Sequence, residues 1–73
     1  MINLDERYHS YLTNKNKKFN IDGVKENVTG YGWHCDEGDI QGHYVLTENH
    51  RLYYNMQEQF VRKEELKALQ TVR

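Results

Sequence analysis

His34, Cys35, His43 and His50 are the residues of this chain whose types could hold a metal or act as nucleophile and base. Structural zinc sites draw two ligands from one short turn, as C-x-x-C or H-x-x-x-H, and neither pattern occurs. His34 and Cys35 are neighbours, and neighbours on a strand point to opposite faces, so they cannot easily share an ion. The same divergence weakens them as a nucleophile and base, which must lie within about 2.6–3.2 Å of each other. His43 could approach Cys35 across a sheet, but no third group is in place to orient it. The histidines therefore read as surface or hydrogen-bonded residues, and Cys35 as a small, partly buried apolar one. No metal and no cofactor is expected.

Asp36, Glu37 and Asp39 form an acidic cluster without the D-x-D-x-D-G order of a calcium loop. Three carboxylates in a turn instead offer contacts to an arginine- or lysine-rich partner. No P-loop, G-x-G-x-x-G or G-x-S-x-G is present, and the reading is of a protein that is not an enzyme. What remains is surface, where Tyr, Trp and Arg dominate binding energy. The expected partner-binding residues are Tyr53, Arg51, Tyr31, Asp36, Glu37 and Asp39.

Ten basic and eleven acidic residues leave a net charge of −1. Nucleic-acid binders usually carry a basic excess, because phosphate neutralisation supplies most of their non-specific affinity. That leaves nucleic-acid binding as the alternative, with tyrosines stacking on bases and Lys15, Lys17, Lys18, Arg51, Arg62 and Lys63 on phosphates. A further alternative is a structural homodimeric subunit. In 73 residues only 37% are hydrophobic, so a single small domain must build its core from large side chains. Trp33, Phe19, Phe60 and the six tyrosines supply them, and dimerisation is a second way to complete such a core. One cysteine excludes an intramolecular disulfide. No window has the apolar length of a signal-peptide core or a membrane span, which points to a soluble, cytoplasmic protein.

The elements that would position these residues follow from spacing. Asn3 caps a helix with Asp5 and Glu6 in its first turn, and Leu4, Tyr8, Tyr11 and Leu12 share one face. It fades at Asn14. Phe19 and Ile21 alternate with polar residues in a short strand ended by Gly23, and 24–28 is ambiguous. From Thr29, alternation puts Tyr31, Trp33 and Cys35 on one face and Gly30, Gly32 and His34 on the other. After the acidic turn comes a hairpin from His43 to Asn55. A three-residue loop 48–50 would set Leu46 opposite Leu52, Tyr44 opposite Tyr54 and Val45 opposite Tyr53. A two-residue Asn49-His50 turn would instead set Leu46 opposite Tyr53. The first is preferred because it makes Tyr44, Leu46, Leu52 and Tyr54 one apolar inner face and leaves Tyr53 and Arg51 outward. A short strand at 59–61 and a helix from Arg62 to Gln70, rich in good helix formers, close the chain.

The fold class expected is α+β. It comprises a small curved antiparallel sheet or partly open β-barrel of three to five short strands, an N-terminal helix and a short C-terminal helix. The function expected is a small protein-binding module that modulates or inhibits a larger cytoplasmic host protein, such as a defence or nucleic-acid enzyme. Its Asn/Lys/Tyr-rich, proline-free composition is of the kind found in phage and mobile-element accessory proteins.

Overall fold

The computed structural model describes residues 2–66. Helix α1 (Leu4–Thr13) precedes six strands: β1 (Phe19–Ile21), β2 (Val24–Glu26), β3 (Val28–Asp36), β4 (Asp39–Thr47), β5 (His50–Asn55) and β6 (Phe60–Glu65). All pairings are antiparallel, in a two-stranded β1–β2 sheet and a four-stranded sheet ordered β3-β4-β5-β6. The α+β class is as expected. The barrel does not close, because β3 and β6 end the sheet as separate edges.

Local chemistry accounts for the ends of these elements. The Asn3 side chain accepts the Glu6 backbone N–H at 3.2 Å, and Asp5 and Glu6 lie in the positive first turn. Leu4 and Tyr8 are buried, while Leu12 turns outward at the end of the stripe. Two tight hairpins share one device. Asp22-Gly23 joins β1 to β2 and Glu37-Gly38 joins β3 to β4, each with both residues at positive φ. That handedness matches the right-handed twist of the flanking strands, and glycine adopts it freely.

Helix α1 and the β1–β2 hairpin cover one face of the large sheet. Tyr8 sits at the centre of this layer, its ring 5.6–6.3 Å from those of Tyr11, Phe19, Tyr31 and His43. Leu4, Tyr8, Val28 and Val45 form the buried cluster, with Trp33 and Tyr54 packed against it. A polar chain thus fills its core with aromatic rings, each of which removes a large area from water. Trp33, expected mid-strand as a core residue, lies half-buried at the rim, edge-on to His43.

Two expectations are corrected here. Residues 62–65 are not helical; they belong to β6, paired residue by residue with β5. Lys63, Glu64 and Glu65 favour helix, but an open edge on β5 offers hydrogen bonds and cross-strand partners that outweigh that weak preference. Leu66 is not helical either, its backbone N–H donating to the Asn49 carbonyl at 2.8 Å, and residues 67–70 of the expected helix lie outside the described residues.

The second correction concerns the β4–β5 hairpin, which takes neither expected register. Thr47 is the last residue of β4 and His50 the first of β5, so the loop is Glu48-Asn49. Leu46 opposes Arg51, Val45 opposes Leu52, and Tyr44 opposes Tyr53. Val45 is therefore fully buried under α1, while Tyr44 and Leu46 face the other way, the reverse of the expected alternation on β4.

Glu26 explains the choice. The residue is 4% exposed, and Oε1 accepts the Thr47 hydroxyl at 2.7 Å, the Asn49 backbone N–H at 3.1 Å and His50 Nδ1 at 3.1 Å. Oε2 takes the Asn49 amide at 3.2 Å. Burial alone would raise this carboxyl, but the hydrogen bonds from Thr47, His50 and Asn49 outweigh it and hold the group at about 2. A turn one residue longer would withdraw these donors from the carboxylate. Glu26→Ala strands them in a closed site and is expected to lower stability by about 2–4 kcal/mol in urea unfolding. Val24→Ala, on an exposed side chain of the same strand, stays within about 0.5 kcal/mol of wild type. Equal stability of the two variants would show that Glu26 does not secure the turn.

Candidate functional site

The face of the large sheet turned away from α1 carries no second layer among the described residues. On it stand Gly30, Gly32 and His34 of β3, Tyr44 and Leu46 of β4, Arg51 and Tyr53 of β5, and Arg62 and Glu64 of β6. Gly32 makes room for Tyr44: a Cβ there would stand 2.6 Å from the tyrosine hydroxyl. The Tyr44 ring lies over this strand position, and the Arg51 guanidinium stands 5.8 Å from its centroid.

Tyr53 is the hub of the face. Arg62 lies over its ring at 4.2 Å, and His34 meets the ring edge at 5.1 Å. Its hydroxyl accepts from Arg51 Nη1 and donates to Glu64 Oε1, both at 3.3 Å, and Arg62 Nη2 reaches Glu64 Oε2 at 3.2 Å. The hydrogen bond to Tyr53 holds the Arg51 guanidinium above its ordinary value. Arg51 Nε is the one buried side-chain nitrogen without a hydrogen-bond partner among the described residues.

The expected site residues divide among three places. Tyr53 and Arg51 come together on the outer face as read from the sequence. Tyr53 is nonetheless only 9% exposed, because Arg51, Arg62, His34 and Glu64 close around it. Asp36 lines a depression of about 310 Å³ with His34, Tyr53 and Arg62, while Glu37 and Asp39 are exposed at the β3–β4 turn. Tyr31 is on the opposite face, where its ring packs on Tyr8 and its hydroxyl donates to Asp5 Oδ1 at 2.6 Å. Tyr44, Arg62 and His34 complete the face and were not among the expected residues. The expected register turns Tyr44 inward, and the expected C-terminal helix takes up Arg62. His34 reads from the sequence as a surface or hydrogen-bonded histidine on the glycine face of its strand, with no partner-binding role.

The groups considered for catalysis do not converge. His50 is bonded to Glu26 at one end of the sheet, whereas Cys35 is exposed near the β3–β4 turn at the other. His43 is buried in the core, its Nε2 2.9 Å from the Tyr8 hydroxyl and its ring stacked on Tyr54 at 4.9 Å. Among the described residues, no group of three or more His, Cys, Asp or Glu side chains could hold a metal ion. No described helix is long and apolar enough to cross a membrane. Comparison with protein-family models, curated proteins and solved structures finds no match.

Two outcomes follow from this geometry. Tyr53→Ala removes a buried ring and is expected to cost about 2–4 kcal/mol, whereas Arg62→Ala, on an exposed side chain, costs about 1 kcal/mol or less. A fully stable Tyr53→Ala would mean that the ring is not enclosed. For His43, burial and then the nearby Arg7 charge push the imidazole below its usual 6.5. The unfolded chain accepts that proton below pH 6.5 while the folded chain resists it, so stability is full above this pH and declines below it. Urea midpoints followed through that window should fall in wild type and fall less in His43→Phe. Identical slopes would remove His43 from the account.

Proposed function

We propose that this chain is a small non-catalytic domain that binds a larger protein on the outer face of its four-stranded sheet. The observation that carries the reading is the pairing of two tyrosines with two arginines on a face that no second layer covers among the described residues. Tyr44 offers apolar area with little rotamer entropy left to lose, since its ring is already held over Gly32, and the enclosed Tyr53 ring holds Arg51 and Arg62 in place. Arg51 and Arg62 add planar donors suited to carboxylates or aromatic rings. Asp36 at the rim supplies an opposite charge for a basic group of the partner.

A protein partner is favoured over nucleic acid by the distribution of cations. Arg51 and Arg62 are on the outer face, but Glu64 stands between them and is bonded to Arg62 and to Tyr53. Lys63 points to the other face, where it pairs with Asp22. Lys17 and Lys18, in the α1–β1 connection, bond to Ser10 and Asn27. A phosphate backbone crossing the sheet would meet two arginines and a carboxylate, too little for counterion-driven affinity.

Capture from a lysate tests this with three baits: wild type, Arg51→Ala and Arg62→Ala. A protein retained by wild type should be lost or weakened by about 1–2 kcal/mol in each variant, with circular dichroism unchanged. Undiminished retention by both variants, or nucleic acid as the retained species, would contradict the proposal.

A further inference from the structure

We infer that β3 is a pairing edge for a second copy of this chain, joined antiparallel about a two-fold axis at Gly32. The two edges of the large sheet are unlike. β6 carries Arg62, Lys63, Glu64 and Glu65, four charges in six residues, the usual guard against another strand. β3 carries no charge from Val28 to Cys35, and among the described residues no backbone bonds to its outer edge. An eight-residue uncharged edge with unpaired backbone groups is a template for one more strand.

The arrangement of β3 favours its own copy as that strand. Register shifts against β4 fall between Val28 and Gly30 and between His34 and Cys35, leaving Gly30–His34 as the regular stretch, centred on Gly32. Antiparallel pairing about Gly32 sets Tyr31 opposite the second copy's Trp33, and Trp33 opposite its Tyr31, with Gly32 facing Gly32. Aromatic pairs directly across an antiparallel ladder are favourable, and no like charges face each other along this stretch. Tyr31 and Trp33 are only half-buried here and line a hollow with Ile2 and Leu4, so the second copy's rings would extend a core short of apolar area. The two outer faces would then join in one eight-stranded sheet, although the pairing does not depend on what that face binds.

The native Cys35, exposed and the only cysteine, provides the test. With the axis at Gly32, the two Cys35 positions are separated by the length of six residues, on the order of 20 Å. That is too far for a disulfide and within reach of dipolar spin-label measurement. Wild type is expected to sediment at twice the chain mass, with a label separation centred near this value. Trp33→Lys, with fold checked by circular dichroism, is expected to sediment as a monomer. If Trp33→Lys unfolds, Thr29→Lys places the charge on an exposed residue of the same edge. A wild-type monomer at NMR concentrations would overturn the inference. So would a dimer with a clearly different label separation, or one that persists in the folded lysine variant.

Discussion

The buried carboxylate of Glu26 is the constraint from which the rest of the arrangement follows. One side chain on the small β1–β2 hairpin collects a hydroxyl, a backbone N–H, a side-chain amide and an imidazole from the turn of another hairpin. Burying an ion is costly unless such partners surround it, so the carboxylate and the turn are stable only together. A strand register that slips by one residue sends every side chain to the opposite face. Fixing Thr47 and His50 opposite each other therefore decides that Val45 and His43 enter the core and that Tyr44 and Leu46 leave it.

The two faces of the sheet then use aromatic residues in different ways. Beneath α1, Tyr8, Tyr31, His43 and Tyr54 pack ring against ring, and the Tyr8 hydroxyl, His43 Nε2 and the Tyr31 hydroxyl are hydrogen-bonded there. On the outer face, among the described residues, the rings are covered by charged side chains rather than by another element. Arg62 over Tyr53 and Arg51 near Tyr44 keep apolar surface partly screened while leaving guanidinium groups at the surface.

Legibility from sequence followed the range of the interactions. The N-cap Asn3, the acidic first turn and the four-residue spacing of Leu4 and Tyr8 act within α1, and the helix lies where they place it. The Glu37-Gly38 turn was equally local. Asp22-Gly23 carried the same hairpin signal, which is overlooked when Gly23 is taken only as the end of a strand. The β4–β5 register was not legible, because it is set by Glu26, more than twenty positions before the turn. Alternation on β5 was still read correctly, so Tyr53 and Arg51 were placed on the outer face while Tyr44 was not. The run Arg62-Lys63-Glu64-Glu65 has helical propensity and no strand signature, and only pairing with β5 makes it extended.

The arrangement requires Glu26 to be ionised, enclosed and hydrogen-bonded by the β4–β5 turn. Observation of its carboxyl carbon by NMR through an acid titration tests this most directly. The expected midpoint is about 2, well below the ordinary 4.5, with the Asn49 amide and His50 ring signals changing at the same midpoint. A carboxyl that titrates near 4.5, with Asn49 and His50 unaffected, would contradict it.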